Sequence, residues 1–462
     1  MAEFPAEFVW GVATSAYQIE GGATEGGRGP SIWDTFAERP GATRDGRTGA
    51  VACDHYHRWP HDMALLSDLG VDAYRFSVAW TRVQPTGRGP VEQRGLDFYR
   101  RVVDALRDRD IEPFVTLYHW DLPQGLEDDG GWRSRDTALR FADYAAVVHE
   151  ELGDSVRFWT TMNEPFVSAV AGYAEGRHAP GAREGHGSLA AAHHLLLGHG
   201  LGVRAMRAQG GGKFGGEKFG GDRFGGDKFG IVLNQSPAVP VGPGGEAAAR
   251  RFDLLLRRQF TEPLFGGAYP GDYDDVFGPI TDLSFRHDGD LDVIGTPLDY
   301  VGVNYYYRRH VADAPPAVAD PADRTAEDIG VDYTQLPDVP KTGLGWPIEP
   351  TGLIEALTDL KNRYPDLPPI YLTENGCAYP EPVEDRERVA FLSSHLSALS
   401  TAIEFGVDVR GYFHWSLLDN FEWAHGYGPR FGLVHVDYTT LVRTPKASFS
   451  WYRDYIREQR AG

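Results

Sequence analysis

Two short stretches, far apart in the chain, each carry a glutamate behind a run of strand-forming residues. In Ile370-Tyr371-Leu372-Thr373-Glu374-Asn375-Gly376, apolar and β-branched residues run straight into a carboxylate, and Asn and Gly follow at once. A buried strand is apolar along its length and its end is marked by turn residues. Glu374 is therefore expected at the C-terminal tip of an inward strand. Phe158-Trp159-Thr160-Thr161-Met162-Asn163-Glu164-Pro165 has the same form, with Pro165 stopping the strand. A lone glutamate at a strand end is usually a solvated loop residue. Two of them, each beside an Asn, fit chemistry that needs a pair of carboxylates, and cleavage of a glycosidic bond is such a reaction.

In the retaining form of that reaction, an ionised nucleophile and a protonated acid stand about 5–5.5 Å apart. Glu374 as nucleophile needs partners that hold its charge. Arg75, inward on a second strand, and Tyr306, after a sixth, can do so by ion pairing and hydrogen bonding. Glu164 as acid needs a raised pKa, and the charge on Glu374 is expected to supply much of that rise. Once a glycosyl-enzyme has formed the charge is gone, and Glu164 can act as base towards water. Asn163 is placed to hydrogen-bond the sugar 2-OH.

Positioning such groups takes a scaffold of strands whose C-terminal ends meet. Strand-like and helix-like patterns alternate along nearly the whole chain. Strands are expected at 8–13, 73–80, 113–118, 159–163, 231–234, 300–305, 370–374 and 411–417. Helices are expected around 57–69, 96–109, 137–152, 189–208, 246–265, 352–363, 386–405 and 447–457. Residues 307–349, rich in Pro and Asp, read as a long loop. Eight strands separated by helices fit a single α/β (β/α)₈ TIM barrel over residues 1–462, with long βα loops forming a deep pocket. The rival is an open doubly wound sheet, which predicts a G-x-G-x-x-G turn after strand one; Gly21-Gly22 and Gly26-Gly27 do not match it.

Residues 210–229 break the pattern. They form four pentads ending in Lys-Phe or Arg-Phe, each opening with two glycines. Glycine at that density disfavours helix, and the unit is too short for a solenoid repeat. The segment is expected to be a surface loop inserted at the end of the barrel opposite the site, with no catalytic role.

The formal charge of −21, from 45 basic and 66 acidic residues, argues against nucleic acid, anionic membranes and highly anionic substrates. Eleven Trp and 12% aromatic residues suit a large core or carbohydrate-stacking platforms. Two cysteines, Cys53 and Cys377, are too few for a disulfide framework and suggest a reducing compartment. Residues 1–7 carry no basic n-region and no apolar stretch, and no apolar run reaches membrane-spanning length, so a cytoplasmic location is expected. His57 and His61 are four apart on an expected helix, but no third ligand accompanies them, so no metal site is expected. Cys377, beside the second motif, reads as a spectator because no histidine is placed to activate it.

Thr161-Met162-Asn163-Glu164-Pro165 and Thr373-Glu374-Asn375-Gly376 resemble the two signature motifs of glycoside hydrolase family 1, the β-glucosidase family, and residues 8–21 resemble its N-terminal signature. The resemblance runs from about residue 4 to the C-terminus and leaves out the pentads. It implies Glu164 as acid/base and Glu374 as nucleophile, flanked by Asn304 and Tyr306. It places Gln18, His119, Asn163, Glu422 and Trp423 on the hydroxyls of the non-reducing sugar, Trp415 beneath that sugar, and Trp346 on the leaving group. It implies no metal or organic cofactor, and a small β-glucoside or oligosaccharide as the partner. Relatives that act on 6-phosphorylated sugars replace the acidic residue at the Glu422 position; here it is kept, which favours unphosphorylated sugars. Thioglucosidase relatives lack the Glu at the Glu164 position, so O-glycosides are expected. The reading is a retaining exo-β-glucosidase acting on cello-oligosaccharides or other O-glucosides. The alternatives are a 6-phospho-β-glucosidase or a non-catalytic sugar-binding relative.

Overall fold

The computed structural model describes residues 3–210, 226–336, 338–380 and 383–461. Eight strands form the barrel: β1 (Val9–Ala13), β2 (Ala73–Ser77), β3 (Glu112–Tyr118), β4 (Phe158–Asn163), β5 (Lys228–Asn234), β6 (Tyr300–Asn304), β7 (Ile370–Asn375) and β8 (Val409–Trp415). They close in the order β1-β8-β7-β6-β5-β4-β3-β2, and every neighbouring pair is parallel. Because β1 pairs with both β2 and β8, the open doubly wound sheet is excluded. The coat consists of α1 (His55–Leu69), α2 (Gln93–Arg107), α3 (Arg135–Leu152), α4 (His186–Ala208), α5 (Gly245–Asp253), α6 (Pro350–Arg363), α7 (Arg386–Glu404) and α8 (Ala447–Ala461).

Local sequence accounts for these elements. In α2, Leu96, Tyr99, Val103 and Leu106 recur at helical spacing and are buried against the strands. Gly70, with φ +73°, ends α1 by donating its N–H to the Leu66 carbonyl in a left-handed cap. Ser134 starts α3 by accepting the Asp136 N–H.

The lower half of the barrel is filled by rings. Phe114, Phe158, Tyr300, Tyr371 and Phe413 form one buried cluster, with Phe114 and Phe158 stacked at 3.9 Å. Each large ring needs a gap beside it. Gly11 is the register partner of Phe413 and Gly230 that of Tyr300. A Cβ at Gly11 would lie 2.4 Å from the Phe413 ring, and one at Gly230 2.6 Å from the Tyr300 ring. This plug leaves the C-terminal ends of the strands as the open face of the lumen, where barrel enzymes keep their sites.

The structure departs from the sequence reading in four places. Residues 307–349 are not all loop. Arg309–Asp313 pairs in parallel with Ala238–Val241 and antiparallel with Val331–Tyr333, a small sheet whose short, half-exposed strands lack a clear alternation. The strand read as 73–80 ends at Ser77, and the chain turns helical at Trp80–Val83. The helix read as 246–265 is regular through α5 and then runs to Gly266 as two wider-turn segments on either side of a short α-helical stretch, Gln259–Thr261. Finally, the fourth pentad is not surface loop. Lys228 and Phe229 open β5, and Phe229 is 3% exposed. The buried Asp227 carboxylate lies 3.2 Å from His149 Nε2, while His149 Nδ1 is 2.6 Å from Gln209 Oε1. The five-residue period hid the strand boundary. The first three pentads fall almost wholly at 211–225, outside the described residues.

Asp227→Ala removes a buried partner of His149, and an unsatisfied buried polar group costs about 1–3 kcal/mol. The variant is expected to lose stability by that amount, read as a lowered urea midpoint. An unchanged midpoint would mean that the fourth pentad is not anchored in this way.

Candidate active site

The site draws on β2, β3, β4, β6, β7 and β8 or the residues just after them. β4 ends at Asn163, and Glu164 follows with φ +45°, a conformation uncommon outside glycine. Two backbone bonds hold it there: its N–H donates to Val232 (2.9 Å) and its carbonyl accepts from Val167 (2.8 Å). Pro165 does more than stop the strand, since it opens the helical segment that continues through Val167–Ala174. Glu374 lies within β7 opposite Asn304 of β6, and Arg75 comes inward from β2.

Arg75 joins the two motifs. Its Nη1 donates to Glu374 Oε1 at 2.6 Å and its Nη2 to Asn163 Oδ1 at 2.6 Å. Tyr306 donates its hydroxyl to the other Glu374 oxygen at 2.8 Å. Asn304 Nδ2 donates to Glu164 Oε1 at 2.8 Å, and Thr373 Oγ1 donates to Asn304 Oδ1 at 2.8 Å, which fixes which end of that amide faces Glu164. Asn163 Oδ1 also accepts from Asn304, so its Nδ2 faces His119 Nε2 at 3.2 Å. That contact makes Nε2 the acceptor and leaves the His119 proton on Nδ1.

The two carboxyls differ in their surroundings. Burial raises the pKa of both. Glu374 has the guanidinium and two hydrogen bonds to pull it back, whereas Glu164 accepts from a neutral amide and feels the charge of Glu374. Glu374 is therefore the first of the pair to ionise and Glu164 the one that keeps its proton. Desolvation is the larger cause of the rise at Glu164, and the charge on Glu374, the cause expected from sequence, comes second. Burial and the charge on Glu374 push Glu422 up to about 8, which favours its neutral form at pH 7. Burial and Arg75 hold His119 well below the usual imidazole range.

A cavity of about 140 Å³ opens onto these groups, lined by Glu164, Glu374, His119, Asn304, Tyr306, Trp346, Trp415, Glu422 and Trp423. Arg75 and Asn163 lie behind its wall and act on it through the bonds above. Gln18 departs from expectation: it is fully buried, with Nε2 bonded to Asn420 Oδ1 (3.0 Å) and the Phe421 carbonyl (2.9 Å) and Oε1 accepting from Ser15. In this state it braces the loop that carries Glu422 and does not line the cavity. The walls are aromatic. His119 stacks on Trp415 (5.8 Å) and on Trp423 (6.0 Å), and Trp346 at the mouth meets Tyr306 (5.4 Å) and Phe431 (5.8 Å). Buried but without a hydrogen-bond partner among the described residues are His119 Nδ1 and Glu422 Oε2. Orphaned polar atoms between ring faces suit a ligand that is polar at its edge and apolar on its face, as a sugar is.

Sequence reasoning missed Trp120, Arg177, His178, Tyr307, Arg309 and Phe431, which also line the cavity. Trp120 and Tyr307 are chain neighbours of residues already singled out, and strand-end position could have found them. The others sit in loops or at a short edge strand, with no periodic signal. A larger cavity, about 710 Å³, lies between Glu262, Phe265, Leu298 and Tyr364 at the opposite end of the barrel, ahead of β6 and β7. His57 is committed to Asp54 (2.5 Å) and Glu25 (3.0 Å) on the surface. Among the described residues no group of three or more His, Cys, Asp or Glu side chains is placed to hold a metal. Both cysteines are free and buried, and burial pushes the Cys377 thiol up to about 12, which leaves it unreactive. No helix of the described residues is long and apolar enough to cross a membrane.

The sequence model of glycosyl hydrolase family 1 matches residues 1–461. The chain belongs to glycosyl hydrolase family 1. It is 46% identical over 475 residues to a bifunctional β-D-glucosidase/β-D-fucosidase of Bifidobacterium breve, covering 99% of each chain. It is 46% identical to thermostable β-glucosidase B of Thermobispora bispora, covering 98% of this chain and 90% of that one. Among solved structures, the psychrophilic β-glucosidase of Micrococcus antarcticus superposes with a TM-score of 0.91 at 44% identity, covering 100% of this chain and 98% of that one. These family 1 neighbours share the closed (β/α)₈ barrel.

Tyr306→Phe removes a donor to the ionised form of Glu374 and so favours the neutral form. The Glu374 carboxyl is expected to titrate about one pH unit higher in the variant, as followed by its ¹³C shift. A shift downwards would contradict the assigned hydrogen bond.

Proposed function

We propose that the protein is a retaining exo-β-glucosidase that releases terminal β-D-glucosyl residues by double displacement, with Glu374 as nucleophile and Glu164 as acid/base. The observation that carries this reading is the unequal environment of the two carboxyls: one is held by Arg75 and Tyr306, and the other by a neutral amide. In the first step the Glu374 carboxylate bonds to the anomeric carbon, the C–O bond to the leaving group breaks, and Glu164 gives its proton to the departing oxygen. The ester so formed carries no charge on Glu374, so the pKa of Glu164 falls. Glu164 then takes a proton from water as that water attacks the anomeric carbon, and Glu374 leaves as a carboxylate. Two inversions leave the configuration unchanged.

The rest of the assignment follows the cavity. His119, Glu422 and Trp423 meet the hydroxyls of the terminal sugar, Trp415 lies against its face, and Trp346 meets the leaving group. Asn163, set by Arg75 behind the wall, reaches the 2-OH only if its amide comes forward as the sugar binds. The ring plug below closes one end of the lumen, which favours removal of a terminal residue over internal cleavage. Relatives named 1,4-β-D-glucan glucohydrolase in Thermotoga neapolitana support cello-oligosaccharides among the substrates, and the bifunctional relative supports acceptance of fucosides. The two unpaired cysteines favour a cytoplasmic location, and the whole chain reads as one catalytic domain. Exclusion of phosphorylated sugars rests less on the charge of Glu422, which burial and Glu374 push up to about 8, than on the lack of a cation bonded to it among the described residues.

The test compares leaving groups. Glu374→Ala is expected to be inactive and folded. Glu164→Ala is expected to lose about 10²–10⁴-fold in kcat/KM on an alkyl glucoside, whose leaving oxygen needs a proton. On a 2,4-dinitrophenyl glucoside, which needs none, the loss in forming the glycosyl-enzyme should be far smaller. Equal losses on both would contradict Glu164 as the acid.

A further inference from the structure

Beyond the catalytic carboxyls the cavity wall continues outwards as a run of rings ending on an arginine. Trp346 meets Tyr306 edge-on and stacks on Tyr307 at 5.0 Å. The Arg309 guanidinium lies 4.7 Å from the Tyr307 ring centre and 5.6 Å from that of Tyr333. The small sheet overlooked in the sequence builds this arrangement. Tyr306 and Tyr307 leave β6, Arg309 begins the strand Arg309–Asp313, and its antiparallel partner Val331–Tyr333 supplies the second ring, Tyr333 pairing with Val311.

Arg309 is half-buried and lines the cavity. Its neighbours have acidic partners: Arg308 with Glu355 at 2.9 Å, His310 with Glu349 at 3.0 Å, and Arg177, across the cavity mouth, with Glu175. Among the described residues Arg309 has none and rests only on ring faces. Glu327, whose charge is felt at Tyr333, is held towards its neutral form by burial and by Glu175. In a chain with 66 acidic and 45 basic residues, a guanidinium held by aromatic faces with no carboxylate is not there to balance local charge. Its planar fork is suited to a carboxylate.

We propose that Arg309 is a specificity-determining residue that selects O-glucosides of phenolic acids. The aromatic aglycone lies along Trp346 and Tyr307, and its carboxylate pairs with the Arg309 guanidinium. This rests on the glycosidase reading above and refines its leaving-group side. It also runs against the expectation from net charge: the whole-molecule field disfavours anions, and the mouth of the site offers one a local partner.

The test uses 4-carboxyphenyl and 4-carbamoylphenyl β-D-glucosides, similar in shape and different in charge, with the wild type, Arg309→Gln and Arg309→Lys. The readout is the ratio of kcat/KM for the carboxylate over the amide. It is expected to fall about fivefold in Arg309→Gln, mainly through KM, and to recover in Arg309→Lys. In the wild type the ratio should decline as salt rises towards about 1 M. A ratio that Arg309→Gln leaves unmoved, or one that is flat in salt, overturns the proposal. The salt series decides if the Gln variant does not fold. If folded wild type cleaves neither compound, the glycosidase reading itself fails and takes this proposal with it, a result distinct from cleavage of both with an unmoved ratio.

Discussion

Of three buried carboxyls at the site, only Glu374 is bonded to a guanidinium among the described residues. That guanidinium, Arg75, is 1% exposed, and its charge is also felt at Glu164. A charge taken out of water costs several kcal/mol unless it is paired, so one cation supports one carboxylate and the other two carboxyls keep their protons. That inequality is what divides the labour of the site. On the proposed reading the carboxylate beside Arg75 is the nucleophile, the carboxyl beside Asn304 is the proton donor, and Glu422 is a neutral hydrogen-bonding group. Removing Arg75 would leave Glu374 as an uncompensated buried charge, a loss of about 3–5 kcal/mol for a broken buried pair.

The barrel exists to keep that guanidinium where it is. Arg75 from β2 reaches Glu374 on β7 and Asn163 on β4 across the lumen, so three strands must hold register for the two bonds to form. The aromatic plug beneath fixes the strands and bars solvent from below. Strain is stored in the walls: Glu164, Trp120 and Trp423 all have positive φ, at +45°, +77° and +48°. Backbone of this kind persists only when surrounding contacts over-determine it, and here the Trp120 indole N–H bonds the Asn163 carbonyl at 2.9 Å.

Much of this was legible in the chain because it is periodic or motif-bound. Buried strands ending in Glu-Asn or Asn-Glu gave away both carboxyls, and a charged residue inside an apolar run gave away Arg75. What was not legible depends on contacts far apart in sequence. Gln18 belongs to a recognisable stretch, yet nothing local says that its amide is spent on Asn420 and Phe421, some 400 residues on. The fourth pentad looks like its copies, and only His149 on another helix makes Asp227 structural. The sheet that carries Arg309 is built from short edge strands whose pattern is set by pairing partners more than by their own sequence. The rank of causes at Glu164 could not be read either, since burial is a property of the assembled pocket.

On the proposed mechanism Glu374, held ionised by Arg75, forms the bond to the sugar. The most direct measurement is mass spectrometry of a proteolytic digest after incubation with a 2-deoxy-2-fluoro-β-glucoside bearing a good leaving group, which slows hydrolysis of the intermediate. One added fluoroglucosyl mass is expected on the peptide that contains Glu374, and none in Glu374→Ala. A label on the Glu164 peptide, or turnover with inversion and no label at all, would contradict it.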